Sequence, residues 1–390
     1  MKYNFDEITP RRHSGCIKYD GAALMGKPEG LIPLWVADMD FPAPPEVTAE
    51  IMAAARRGIF GYNLVTDGYA TAAANWFADR FGYRTERDWL VTSPGVVFAL
   101  GLAIRSQTAP GEAVMIPQPV YHPFARLVTA NGRKLVNNGL VYRDGRYEID
   151  LVDFEEKIVT HAVKMFVLCS PHNPVGRVWT ADELTAMGRI CLKHKCLVVS
   201  DEIHCDFTWP GHRHHVFAAL SPEFAQNSII CTAPSKTFNL AGLQASNIFI
   251  ANKEVREKFA REKSNAGAGE LNNLGLVACQ AAYEHGRDWL EQLREYLGAN
   301  LSLLKSALAG TKVRLIEPEG TYLAWLDFNA LGLSAQDLDD LITARAGLWL
   351  DEGAKFGPGG EGFYRMNLAC PKATLEQALT QLNRALKDGR

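Results

Sequence analysis

The 390-residue chain is 47% hydrophobic and 22% charged, which fits a globular protein of two or three domains and excludes a disordered one. Its 41 Lys and Arg face 44 Asp and Glu, a formal charge of −3, so nothing favours nucleic acid as a main partner. The eight cysteines form no CxxC pair, the opening residues are polar with no signal-peptide pattern, and no apolar run reaches the ~20 residues of a membrane span. A reducing cytoplasm and no membrane contact are the expectation.

Residues 1–45 read as irregular and end in Phe41-Pro-Ala-Pro-Pro45, too dense in proline for a helix or central strand. Helical signal follows over 46–57 and 68–81. The middle of the chain alternates apolar runs with amphipathic stretches, predicting strands at 113–116, 134–137, 164–169, 196–200, 228–232 and 246–251. Thr180-Ala-Asp-Glu183 is a capping box that opens a helix running to about residue 194. This spacing predicts βαβ units and a mostly parallel sheet covered on both faces. Leucines at spacings of three and four predict one long helix over 284–308. Short strands at 313–317, 322–327 and 364–368 then alternate with helices starting near residues 334 and 374, a smaller α+β unit.

Three of the predicted strands run into polar clusters. These are Ser170-Pro-His-Asn-Pro174, Asp201-Glu-Ile-His204 and Ala233-Pro-Ser-Lys236. Ligands of open α/β sheets bind at the carboxyl ends of strands, so Asn173, Asp201 and Lys236 can converge although 28 and 35 residues separate them. A lysine with a lowered pKa forms a Schiff base with a carbonyl. A carboxylate keeps a pyridine nitrogen protonated, and an amide can donate to a phenolate on the same ring. Together these residue types specify pyridoxal phosphate. The glycine turn in Thr92-Ser-Pro-Gly-Val-Val97, at the start of an apolar helix, offers backbone N–H groups to a phosphate. Ser235 can add a hydroxyl, and Tyr121 can stack on a ring. Each residue alone has an ordinary explanation, a solvated lysine or a turn aspartate, so the argument rests on their joint placement.

The motifs Ser170-Pro-His-Asn-Pro-Val-Gly176, Asp201-Glu-Ile-His204 and Ser235-Lys-Thr-Phe-Asn239 resemble those of fold-type I pyridoxal-phosphate enzymes of the class I/II aminotransferase superfamily. Val36-Ala-Asp-Met-Asp-Phe41, Gly58-Ile-Phe-Gly-Tyr62 and Phe363-Tyr-Arg-Met-Asn-Leu-Ala-Cys-Pro371 narrow the resemblance to the MalY/PatB-type cystathionine β-lyase branch. It implies an α/β fold, with a seven-stranded mostly parallel sheet in a large domain over 46–285. A small α+β domain over 286–390 would be joined by the N-terminal segment 1–45.

The resemblance also implies roles. Lys236 would carry the cofactor and move the proton, Asp201 would hold the pyridinium, and Asn173 would face the phenolic oxygen. Tyr121 would stack on the ring beside His204. Gly95, Val96, Val97 and Ser235 would bind the phosphate. Arg365, with Ala37, would take the substrate carboxylate. Tyr62 would reach across a homodimer interface to the partner's site. Two positions depart from the common aminotransferase pattern: His204 stands where a tyrosine is usual, a trait shared by the lyase branch, and Gln244 replaces a phosphate-binding arginine.

The expected reaction is β-elimination from cystathionine and other S-substituted cysteines to a thiol, pyruvate and ammonia. The alternatives are an aminotransferase sharing every step up to the carbanion, and a regulatory binding protein. Gly357-Pro-Gly-Gly-Glu-Gly362 matches a dinucleotide fingerprint but lies outside any βαβ unit. His212-Arg-His-His215 lacks paired metal-ligand spacing, so no metal is expected. Tyr322 and Trp325 lie in an alternating strand and read as core.

Overall fold

The computed structural model of the protein describes residues 2–388. Seven strands form the main sheet. They are β1 (Leu90–Ser93), β2 (Ala113–Ile116), β3 (Lys134–Asn137), β4 (Met165–Cys169), β5 (Leu197–Asp201), β6 (Ser228–Thr232) and β7 (Ser246–Phe249), in spatial order β1-β7-β6-β5-β4-β2-β3. Neighbours from β6 to β3 are parallel, and β4 and β6 are buried along their whole length, as a sheet covered on both faces requires. β7 runs antiparallel to both β6 and β1, so it does not belong to a βαβ unit. β1 escapes the sequence reading because its four residues merge into the glycine turn that follows.

Register brings the strand ends together. Cys169 pairs with Asp201, and Asp201 with Cys231, so the loops after β4, β5 and β6 leave the sheet side by side. The helices of this body include α1 (Pro45–Arg56), α2 (Asp67–Phe81), α3 (Val96–Gln107), α4 (Ala181–Lys193) and the short α5 (Pro234–Thr237), of which α3 and α5 reach the site. The Thr180–Glu183 capping box opens α4 as expected.

Residues 284–285 close the preceding helix, α6 (Asn273–His285), so the long helix predicted over 284–308 is α7 (Arg287–Leu308), which starts three residues later. They part at Gly286, where a Cβ would collide with the Phe238 ring and the Ala282 carbonyl. The leucine periodicity carries no signal of that collision, which comes from a residue distant in sequence. The first half of α7 buries Trp289, Leu293 and Leu297 in the core of the main sheet. Its second half buries Leu301, Leu304 and Leu308 in a separate core under a four-stranded antiparallel sheet. That sheet comprises β8 (Arg314–Ile316), β9 (Leu323–Asp327), β10 (Asp351–Glu352) and β11 (Phe363–Asn367), ordered β8-β9-β11-β10. Helix α8 (Lys372–Asp388) packs on the same core through Leu375, Leu379 and Leu382. Each such fully buried leucine stabilises by roughly 1.5–3 kcal/mol.

The N-terminal segment ties both bodies. Phe5 packs edge-on against Trp289 at 5.7 Å, while Ile32–Pro33 pairs in parallel with Leu348–Trp349. Trp35 then stacks on Trp349 at 4.6 Å. No helix of the described residues is long and apolar enough to cross a membrane.

Candidate active site

A cavity of about 400 Å³ opens where the two sheets meet, at the carboxyl ends of β4, β5 and β6. The loop after β4 brings Asn173, β5 ends in Asp201 with His204 beyond it, and α5 brings Ser235 and Lys236. Pro234 opens α5 at a position where its missing N–H breaks no helical bond. From the other sheet, β11 contributes Arg365 and β10 Asp351.

Burial sets the electrostatics. The Lys236 amine is lowered to about 8, first by burial and then by Arg365, against the opposing pull of Asp38 and Asp201. The Asp201 carboxyl is raised to about 7 by burial, although the Ile203 N–H and Lys236 favour its charge. His204 is pushed down to about 3 by burial, then by Lys236 and Arg365, so the ring is neutral. It meets the Tyr322 ring edge-on at 5.8 Å. Burial thus outweighs the opposite charges around Lys236 and Asp201 and weakens the ionised form of each, which a charged ligand would restore.

Arg365 is the hinge between the sheets. Its Nη1 donates to Asn173 Oδ1 at 2.9 Å, and its Nη2 to Asp351 Oδ2 at 2.8 Å and the Trp35 carbonyl at 2.7 Å. The Asn173 amide is thereby oriented, its oxygen engaged and its NH2 left to donate. Asn173 also accepts the Tyr121 backbone N–H through its own carbonyl at 3.0 Å, which fixes Tyr121 at the cavity wall. Lys236 Nζ donates to the Ala37 carbonyl at 2.7 Å. Asn367 Nδ2 donates to the carbonyls of Val36 and Asp38, and Asn239 Nδ2 to that of Met39, so side chains rather than a sheet hold this strand of backbone.

Opposite Lys236, Gly95 caps the N-terminus of α3 without a side-chain bond, and the first N–H groups of the helix have no helical partner. Gly95 has φ +109 with open space where a Cβ would stand. Val96, Val97 and Ser235 face the same space, and Gln244, in a left-handed conformation, lies beside them.

Of the residues expected from sequence, Lys236, Asp201, Asn173, His204, Tyr121, Gly95, Val96, Val97, Ser235, Arg365 and Ala37 all line this one cavity. Tyr62 does not; it is fully exposed in the segment between α1 and α2. The sequence reading missed Trp35, Phe98, His122 and Asp351, which also line the cavity. Asp351 could have been found only through its strand register with Arg365, which a two-residue strand does not announce. His214, within the discounted histidine cluster, is buried and bonds Glu202 at 2.9 Å.

These residues fit pyridoxal phosphate. The buried Arg365 Nε and His204 Nδ1 have no hydrogen-bond partner among the described residues, and both residues line the cavity. The Gly95 turn leaves an open cradle at a helix N-terminus, suited to a phosphate. The amine, carboxylate and amide the group needs stand around the same space.

Comparison with known proteins agrees. The family Aminotransferase class I and II matches residues 29–382. Cystathionine beta-lyase PatB of Bacillus subtilis is 41% identical over 98% of this chain and 100% of its own. Protein MalY of Escherichia coli is 30% identical over 99% of both chains. The crystal structure of cystalysin from Treponema denticola, which contains a pyridoxal 5'-phosphate cofactor, superposes with a TM-score of 0.96 at 36% identity over the whole of both chains. The architecture is therefore fold-type I, and the chain belongs to the class I and II aminotransferase family, in the branch of PatB and MalY.

Proposed function

We propose that the protein is a pyridoxal-phosphate-dependent carbon–sulfur β-lyase that cleaves cystathionine and related S-substituted L-cysteines to a thiol, pyruvate and ammonia. The observation that carries the reading is the meeting of Lys236, Asp201 and the Asn173–Arg365 pair in one cavity between the sheets. The kinship with PatB supports the lyase chemistry over transamination.

When bound, the cofactor supplies an aldehyde that condenses with amines and a pyridinium ring that draws electrons from the substrate Cα. Asp201 would hold the ring nitrogen's proton, and the arriving positive charge would return the carboxyl to its ionised form. Asn173 Nδ2 would donate to the phenolic oxygen. Tyr121 would cover one face of the ring, beside His204. The N–H groups at Val96 and Val97, with the Ser235 hydroxyl, would take the phosphate. Arg365 Nε, which has no partner among the described residues, would donate to the substrate carboxylate, and the Ala37 backbone would border it. With its pKa near 8, Lys236 Nζ is partly neutral at physiological pH and can accept the Cα proton.

We further infer a homodimer. Ile59, Phe60, Tyr62 and Leu64 form an exposed apolar run close to the start of α2, which a second copy would cover, carrying Tyr62 to the partner's cavity. We also propose a large domain over 46–285 and a small one over 286–390 joined by 1–45; the separate core under the small sheet supports a second body, while Phe5, Phe41 and Trp289 pack in the main core. The buried free cysteines support a reducing cytoplasm.

The test is a product assay. The protein is loaded with pyridoxal phosphate and given L-cystathionine without keto acid. Continuing, equal release of pyruvate and thiol supports the lyase. Turnover only when a keto acid is present makes the protein an aminotransferase.

A further inference from the structure

Five residues beyond Asp201, the loop after β5 carries a further carboxylate. Asp206 is 3% exposed and lies outside the cavity lining. Its Oδ2 accepts the Thr237 hydroxyl at 2.7 Å, and Thr237 directly follows Lys236 at the end of α5. The same oxygen receives Trp76 Nε1 at 3.4 Å, and Oδ1 pairs with Arg80 Nε at 2.7 Å, both from α2. Arg80 also bonds Glu291 on α7 at 2.8 Å. Arg294 bonds Glu291 at 2.9 Å and the Thr208 carbonyl at 3.0 Å, which closes the ring on the loop where it began. The Trp76 ring meets Phe238 edge-on at 5.4 Å, one residue beyond Thr237.

A carboxylate this deeply buried stays only where donors satisfy it. Here the donors come from α2 and from the lysine turn, so the carboxylate fixes one against the other. The mechanism proposed above needs the Lys236 amine and Asp201 at one constant spacing, and Asp206 is on the Asp201 loop. We propose that Asp206 is a positioning residue for Lys236, holding the lysine turn to the Asp201 loop through the Thr237 hydroxyl. The inference rests on Lys236 being the lysine that receives the cofactor.

Thr237→Val keeps the side-chain shape, removes the hydroxyl and leaves the Asp206–Arg80 pair in place. Thr237→Ser keeps the hydroxyl and serves as the rescue. Asp206→Asn weakens the same contact from its other end. For each protein, apoprotein is mixed with pyridoxal phosphate over a pH series. Capture on Lys236 is trapped with borohydride and mapped by peptide mass. On the loaded protein kcat, KM and melting temperature are measured.

A misplaced reacting group loses on the order of tenfold to a hundredfold in rate, so Thr237→Val and Asp206→Asn should slow capture and lower kcat by about tenfold with KM unchanged. Thr237→Ser should match the wild type in both. The proposal is overturned if Thr237→Val captures and turns over at wild-type rates, whatever its melting temperature, or if Thr237→Ser is as impaired as Thr237→Val. A wild-type protein that captures nothing on Lys236 overturns the reading of that lysine, and this inference with it.

Discussion

Arg365 Nη1 and Asn173 Oδ1 stand 2.9 Å apart, joining a strand of the small sheet to a loop of the large one. The bond makes the residue that would grip the substrate carboxylate also orient the amide that would face the cofactor. Arg365→Lys removes the Nε donor, and a charge-assisted hydrogen bond is worth about 1.5–3 kcal/mol, so kcat/KM should fall about tenfold to a hundredfold. Asn173→Ala should weaken cofactor binding. In a double-mutant cycle on kcat/KM the two should couple by about 1 kcal/mol or more. Strict additivity would show that the contact transmits nothing.

The charges of Asp201 and Lys236 make the stability of the cofactor-free protein depend on pH. Asp201 is raised from 3.8 to about 7, so the folded state binds more protons than the unfolded state in that interval, and stability falls as pH rises through it. Lys236 is lowered from 10.5 to about 8, so stability rises again with pH between those values. The two contributions give a minimum between about pH 7 and 8. Asp201→Asn should therefore melt higher than wild-type apoprotein above about pH 7 and lose that advantage near pH 4, by on the order of a few kcal/mol. It should also bind the cofactor poorly. Equal melting at every pH would contradict the assignment of Asp201 as an uncompensated buried carboxylate.

Gln244 lines the same cavity as Val96, Val97 and Ser235 and brings no charge. Gln244→Arg adds a cation at a position whose backbone, at φ +51, is already left-handed in the parent. The dissociation constant for pyridoxal phosphate, followed by absorbance on the apoprotein, should drop about tenfold, the worth of one charge-assisted bond to phosphate. Unchanged affinity would place the phosphate elsewhere in the cavity.

Tyr62 lies on the exposed segment before α2, and Tyr62→Ala should leave the melting temperature of the subunit almost unchanged. If each site borrows Tyr62 from its partner, mixed dimers of Tyr62→Ala and Lys236→Ala subunits recover activity, because one of their two sites has both residues. Homodimers of either variant should be slow or dead. No recovery on mixing would confine each site to one chain.

Much of the site was legible because its residues follow strands. Apolar runs such as Ser228–Thr232 mark both a buried strand and the place where its loop emerges, so the convergence of Asn173, Asp201 and Lys236 could be read without coordinates. What was hidden depends on contacts between distant segments. The junction of α6 and α7 takes glycine at 286 because Phe238 occupies the space a side chain would need. The reversal of β7 follows from pairing with β1 and leaves no trace in its own four residues. Asp351 belongs to the site only through its place opposite Arg365.

The two sheets divide the site between them. The groups assigned to the cofactor come from loops of the large sheet and from α3 and α5, whereas Arg365 and Asp351 come from the small sheet and Trp35 from the segment paired near it. Most of the small sheet packs in its own core, although Leu323 of β9 is buried in the core of the main sheet, and Trp325 and Phe363 pack with Tyr147 and Val175. Substrate choice can thus drift under selection through the small sheet while the electron-withdrawing apparatus stays fixed, and the Arg365–Asn173 bond is one place where a change on one side is felt on the other.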